Sequence, residues 1–248
     1  MDNNILEREK RFHEQRFSSD EGRRKEDKFY VALHNMKIAF HDSIGMFAPK
    51  ADVLDYGCGS GEMAIGLFKS AGVKSLSAID ISEKAISLAQ SRATQEGVTI
   101  EFSTDDCEQT KFADGKFDLV YGSGILHHLN LTRSINEIKR ITKSDGKAVF
   151  YEPLGTNPLI RLYRALTPNS RSEDEHPFMP NDLKAIGAAF PGAKFYFFGF
   201  FTLLSIPFAA NPNTSRMYKI CSYVDTLILR GPARWLAWSV LIVAKKKS

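Results

Sequence analysis

The sequence predicts an α/β fold: a mainly parallel β-sheet with helices on both faces. From residue 51 onward, short apolar runs alternate with helix-patterned stretches, the signature of successive strand–helix–strand units. The chain has 248 residues, 43% hydrophobic and 25% charged. A chain of this size and balance buries its own core without disulfide or metal staples.

Taken in order, residues 1–30 carry eight basic and eight acidic side chains around Leu6, Phe12 and Phe17. They read as part of a helical N-terminal cover over residues 1–45, or as a solvated helix. Strand patterns follow at Asp52–Tyr56, Ser75–Asp80, Thr99–Ser103, Phe117–Tyr121 and Lys147–Glu152. Between them lie helical patterns at Gly61–Ser70, Ser82–Glu96 and Leu131–Thr142. Ser82 with Ala85, Ile86, Leu88 and Ala89 reads as a capped amphipathic helix. After Glu152 the alternation stops. Residues 153–190, rich in Pro, Asn, Arg and acids with a helix near Leu159–Leu166, read as a lid insertion over the strand ends. The tail, 191–248, continues from a helix at Asn181–Phe190 with a Phe-rich strand (Lys194–Phe200), a helix (Thr214–Leu229) and a last strand (Trp235–Ala244). The whole is expected to be one domain, with the chemistry in the loops at the carboxyl ends of the parallel strands.

Several functions are disfavoured at once. Cys58, Cys107 and Cys221 are odd in number and widely spaced, which argues against a disulfide framework or zinc cluster and for a reducing, cytoplasmic compartment. A net charge of +4 is too mild to predict a nucleic-acid partner. The start lacks the order of a signal peptide. The longest apolar run, Phe195 to Ala210, is interrupted by Gly199, Thr202, Ser205 and Pro207 and is too short for a transmembrane span.

The loop Val53-Leu54-Asp55-Tyr56-Gly57-Cys58-Gly59-Ser60-Gly61-Glu62 leaves the first strand and opens a helix. Its glycines let the backbone turn sharply and approach a ligand closely. The spacing is GxGxG, unlike the dinucleotide fingerprint or a phosphate loop. Asp55 ends one strand and Asp80 the next. A carboxylate at the second position can accept both hydrogen bonds of a ribose diol, or simply cap its strand.

VLDYGCGSGE, AIDIS, DDCEQTKFADGKFDLV and GSGILHHL stand in this order across residues 51–152. Together they resemble the class I S-adenosylmethionine-dependent methyltransferases. The resemblance implies a Rossmann-like, seven-stranded sheet with its last strand antiparallel, and S-adenosyl-L-methionine as cofactor, with no metal. It also implies that Asp55 and the loop Gly57, Cys58, Gly59, Gly61 hold the cofactor's methionine portion. Asp80 would bind the ribose and Ile81 would pack on adenine. Asp106, rather than Asp105, would meet the adenine amine with the Cys107 backbone beside it. Ser123 would contact the methionine end.

A hydroxyl acceptor needs a proton acceptor, and His127, His128, Glu152 and His176 are the candidates; the His127-His128 pair and Glu152 both follow strands that face one cleft. A carboxylate that orients an imidazole makes a proton acceptor at neutral pH; capping or packing is the alternative for the histidines. Arg161, Arg164, Arg171 and His176 of the insertion would meet a polar part of the acceptor, or pair with Glu173, Asp174 and Glu175. The aromatic run from Phe195 reads mostly as core. Its continuation through Leu203, Leu204 and Phe208 would line a greasy pocket or touch a membrane surface. The resulting reading is a methyltransferase acting on oxygen of a small lipophilic acceptor. Nitrogen or carbon acceptors, an RNA methyltransferase and a non-catalytic scaffold are the alternatives.

Overall fold

The computed structural model describes residues 7, 8, 10, 11, 31–167, 175–207 and 211–247. Leu6, Phe12 and Phe17, together with Arg171, Glu173, Asp174 and Phe208, lie outside the described residues. Seven strands form one sheet: β1 (Asp52–Tyr56), β2 (Ser75–Asp80), β3 (Glu101–Thr104), β4 (Phe117–Ser123), β5 (Thr142–Pro153), β6 (Lys194–Phe198) and β7 (Ser239–Lys245). Their order is β3-β2-β1-β4-β5-β7-β6. Pairings among β1 to β5 are parallel, and β7 lies antiparallel between β5 and β6. The strand order reverses between β1 and β4, where an open parallel sheet leaves a crevice for a ligand.

The helices follow from local signals. α1 (His34–Phe47) buries Met36, Phe40 and Ile44, spaced one turn apart; the Phe40 ring meets Tyr151 edge-on with centroids 5.0 Å apart. α2 (Glu62–Ala71) starts directly after Gly61, which stands at φ 75°. α3 (Glu83–Gln95) is capped by Ser82, whose side chain accepts the Ala85 N–H. Asn130 does the same for α4 (Leu131–Ile141). Asn157 caps α5 (Pro158–Leu166), with proline at the first helical position, where a missing N–H costs nothing. α6 (Pro180–Ala189) and α7 (Arg216–Ile228) complete the set. Two apolar clusters, one on each sheet face, form the core. One gathers Leu54, Val120, Phe150, Ile138 and Phe178, and the other Val53, Leu119, Tyr121, Val149 and Phe40.

Strand boundaries differ from the sequence expectation where backbone irregularity intervenes. β5 begins at Thr142 because its pairing with β4 slips between Phe117 and Leu119, with Asp145 at φ 65° in the extra turn. β6 stops at Phe198 because Gly199 turns the chain at φ 85°. Phe201–Ser205 then coils into a 3-10 turn. A second 3-10 turn, Pro232–Leu236, takes the start expected for the last strand. The Phe-rich run is less interior than its composition suggests. As the sheet's edge, β6 keeps no residue fully buried, although Phe195 and Phe197 pack against one core cluster and Phe198 against the other.

Gly122 sits where the end of β4 meets its neighbours. A Cβ there would lie 2.6 Å from Phe150 Cε1, 2.7 Å from Ile125 Cγ2 and 2.8 Å from the Tyr56 carbonyl oxygen. Gly122→Ala is therefore expected to lower stability by about 1–3 kcal/mol through overpacking, read as a lowered urea midpoint at unchanged slope.

Candidate active site

The carboxyl ends of β1, β2, β4 and β5 bring most of the sequence-selected residues together. The loop after β1 takes three left-handed residues, Gly57 at φ 80°, Gly59 at 52° and Gly61 at 75°, a backbone that L side chains rarely adopt. Space forbids a side chain as well: a Cβ on Gly57 would lie 2.6 Å from Ile125 Cγ1, and one on Gly61 2.8 Å from Ala89 Cβ. Asp80 ties this loop to β2. Its Oδ2 accepts the Gly59 N–H at 2.8 Å and its Oδ1 the Ser82 N–H at 2.9 Å.

Asp55 is buried at the tip of β1, where its Oδ2 accepts the Tyr121 hydroxyl at 2.9 Å. Burial pushes its carboxyl up to about 7; the Tyr121 hydrogen bond pulls the other way, and the Asp80 charge adds to the rise. Among the described residues neither Asp55 nor Asp80 has an ion-pair partner. Asp105 is buried and takes the Asp106 and Lys111 N–H groups, while the part-exposed Asp106 side chain takes the Glu108 N–H. Beside them the Cys107 carbonyl accepts the Tyr56 hydroxyl, and the Cys107 side chain points into the core. Cys58 is partly buried, with burial as the main force raising its thiol. Ile81 lies part-exposed beyond β2, and Ser123 Oγ is 2.7 Å from the Tyr151 hydroxyl.

Glu152, wholly buried, anchors the facing side. Its carboxylate accepts main-chain N–H groups from Ile125 at 3.1 Å, Leu126 at 2.9 Å and His127 at 3.4 Å, and it lies 2.7 Å from His127 Nδ1. With the carboxylate as acceptor, Nδ1 carries the proton, and Nε2 is the nitrogen able to receive one. Burial pushes Glu152 up to about 7, against the lowering pull of the Leu126 N–H, of charge on His128 and of the Ile125 and His127 N–H groups. The His128 ring lies beside His127 with centroids 4.1 Å apart.

The insertion closes onto this pair. The His176 N–H donates to the His127 carbonyl at 2.9 Å, and Phe178 bridges to Leu154 at the end of β5. One acid-coordinating atom of Glu175 and one ring nitrogen from each of His127 and His128 lie within 4.8 Å of one another. A cation already serves Glu175, since Arg164 Nη2 is 2.5 Å from its Oε1. Arg164 is thus paired within the insertion, whereas Arg161 and the His176 side chain are exposed. Three participants escaped the sequence reading: Tyr121, Ile125 and Glu175 as a partner of the histidines. Tyr121 faces Asp55 only because β1 and β4 pair in that register. The Ile125 contact with Gly57 is likewise a matter of strand register.

Residues 53–146 match a family model described as a methyltransferase domain, and the fold is that of the class I S-adenosylmethionine-dependent methyltransferases. Three curated relatives sharpen the comparison. A demethylmenaquinone methyltransferase of Bacteroides fragilis is 29% identical over 43% of this chain and 44% of its own. A ubiquinone/menaquinone biosynthesis C-methyltransferase of Geotalea uraniireducens is 28% identical over 48% and 52%. A ubiquinone biosynthesis O-methyltransferase of Bordetella avium is 25% identical over 54% and 58%. The chain spans about half the length of the curated relatives it matches. Among solved structures, a Haemonchus contortus phosphoethanolamine N-methyltransferase in complex with S-adenosylhomocysteine shares the fold. Its TM-score is 0.64 at 16% identity, over 87% of this chain and 53% of that one.

Asp55 supplies a direct test of the site's electrostatics. Its carboxyl is shifted from 3.8 to about 7 by folding, so the folded state binds the extra proton and stability falls as pH rises between those values. Asp55→Asn removes this penalty. The ligand-free variant should gain stability over the parent between pH 4 and pH 7, on the order of a few kcal/mol, with the difference constant above. Urea unfolding at pH 5 and pH 8 reads it.

Proposed function

We propose that the chain is an S-adenosyl-L-methionine-dependent methyltransferase of a small lipophilic acceptor, transferring to oxygen. The observation that carries the reading is a set of acids around a glycine loop that have no ion-pair partner among the described residues. Asp55, Asp80 and Asp106 stand at the tips of adjacent strands, and the loop between them presents bare backbone. A ligand carrying an ammonium, a sulfonium and a ribose diol meets that donor set. The bound cofactor would supply an electrophilic methyl group.

The protein's own residues then have separate tasks. Asp55 and the Gly57–Gly61 backbone, with Cys58 in the loop and Ser123 opposite, would hold the amino-acid end. Asp80 would take the ribose hydroxyls, Ile81 would cover the base, and Asp106 with the Cys107 backbone would receive the exocyclic amine. Displacement at carbon is governed by alignment, and holding both reactants in near-attack geometry contributes up to about 7–11 kcal/mol. Glu152 fixes the His127 ring so that Nε2 can take the acceptor's hydroxyl proton. His128 packs beside it, and Arg161, Arg171 and His176 of the insertion are the polar groups that would meet the acceptor, with Arg164 acting through Glu175. Residues 1–45 and 153–190 would complete the acceptor side of a single domain.

Transfer to carbon is the second reading, favoured by the name of the Geotalea uraniireducens relative. It uses the same base, because a phenol-type acceptor must lose its proton before its ring attacks.

Titration calorimetry with S-adenosylhomocysteine is expected to show one site, weakened at least about tenfold by Asp80→Ala as a charge-assisted contact is lost; no detectable binding would overturn the reading. With methyl-labelled cofactor and a panel of lipophilic phenols and quinols, label should appear in product, and NMR of that product separates oxygen from carbon. His127→Ala should cut kcat by about 10²–10⁴-fold while leaving cofactor affinity intact, the expected loss of a general base. Equal turnover in the variant would assign the base elsewhere or point to a nitrogen acceptor.

A further inference from the structure

α7 is amphipathic the wrong way round. The side it turns to the protein carries Tyr218, Cys221, Ser222 and Asp225, one helical face at i, i+3, i+4 and i+7. These groups are satisfied there. Asp225 accepts the N–H groups of Phe200, Phe201 and Thr202 and the Thr202 hydroxyl. The Tyr218 hydroxyl accepts the Asn35 N–H, and the Asn35 side chain donates to Ser222. The opposite side, turned to solvent, carries Met217, Ile220, Tyr223 and Leu227, with Ile220 62% and Tyr223 67% exposed. The adjoining 3-10 turn adds Leu204, 59% exposed.

α5 repeats the arrangement. Ile160 points inward, and Leu159, Leu162 and Leu166 form an outward stripe at i, i+3 and i+7, with Leu166 73% exposed. Both helices lie outside the segment that matches the methyltransferase domain.

The exposed charges on and beside α7 are of one sign. Within 211–236 the charged residues are Arg216, Lys219, Asp225, Arg230 and Arg234, and the one acid is buried beneath the helix. α5 adds the exposed Arg161, while its Arg164 is paired with Glu175. Apolar side chains flanked by Arg and Lys, with Tyr223 at their centre, match the boundary between acyl chains and anionic headgroups. No helix among the described residues is long and apolar enough to cross a membrane, so the geometry is that of a surface contact.

We propose that the outward faces of α7 and α5, with Leu204 beside α7, dock the protein on an anionic lipid bilayer. The inference stands apart from methyl transfer, and it leaves the cofactor residues untouched.

Sedimentation of the full chain with vesicles tests it. Binding is expected to phosphatidylcholine–phosphatidylglycerol vesicles, to fall with added salt, and to be much weaker to phosphatidylcholine alone. Ile220→Ser with Leu227→Ser should weaken it about tenfold or more, because the apolar area withdrawn from water is lost; Arg216→Gln with Lys219→Gln should remove much of the salt dependence. These side chains point outward, so an unchanged melting temperature and unchanged cofactor binding certify the variants. Vesicle binding that ignores all four substitutions, or none to the mixed vesicles, overturns the proposal. So does a concentration-dependent dimer abolished by the same serine pair, which would assign the face to a second copy.

Discussion

The carboxylate of Glu152 is the fixed point of the side of the crevice formed by β4 and β5. A wholly buried acid must be satisfied on every lone pair, and here the partners are the main-chain N–H groups of the turn after β4 and the His127 ring. The turn therefore cannot take another shape while Glu152 is in place. Through the His127 carbonyl it also sets where the insertion returns to the sheet at His176. The strand end, the histidine pair and the segment around His176 form one connected unit.

The other side of the crevice is organised by a deficit. Asp55 and Asp80 end neighbouring strands and are both nearly without solvent; burial above all, and the Asp80 charge after it, raises the Asp55 carboxyl. Two buried carboxyls of this kind would favour a cationic ligand over a neutral one of the same shape.

Much of this was legible in the chain. The strand patterns at Asp52–Tyr56 and Ser75–Asp80 coincide with β1 and β2, because fully buried parallel strands read as continuous apolar runs ending in an acid. Ser82 announced α3 for the same reason that it caps it. What stayed hidden depends on register and on edges. Tyr121 reaches Asp55 across a strand pairing that composition does not encode. The Phe-rich β6 reads as core and stands at the sheet border, since placement in the sheet is a tertiary fact. Of the two uses the sequence left open for Arg164, acceptor contact or pairing with a neighbouring acid, the fold shows the pairing, with Glu175.

α7 is held in its orientation by polar contacts on its inner face: Asp225 accepts four hydrogen bonds from Phe200, Phe201 and Thr202, and Tyr218 and Ser222 each accept one from Asn35. A helix pinned in this way keeps greasy surface on its outside without rolling it inward, because turning the stripe in would strand a buried carboxylate.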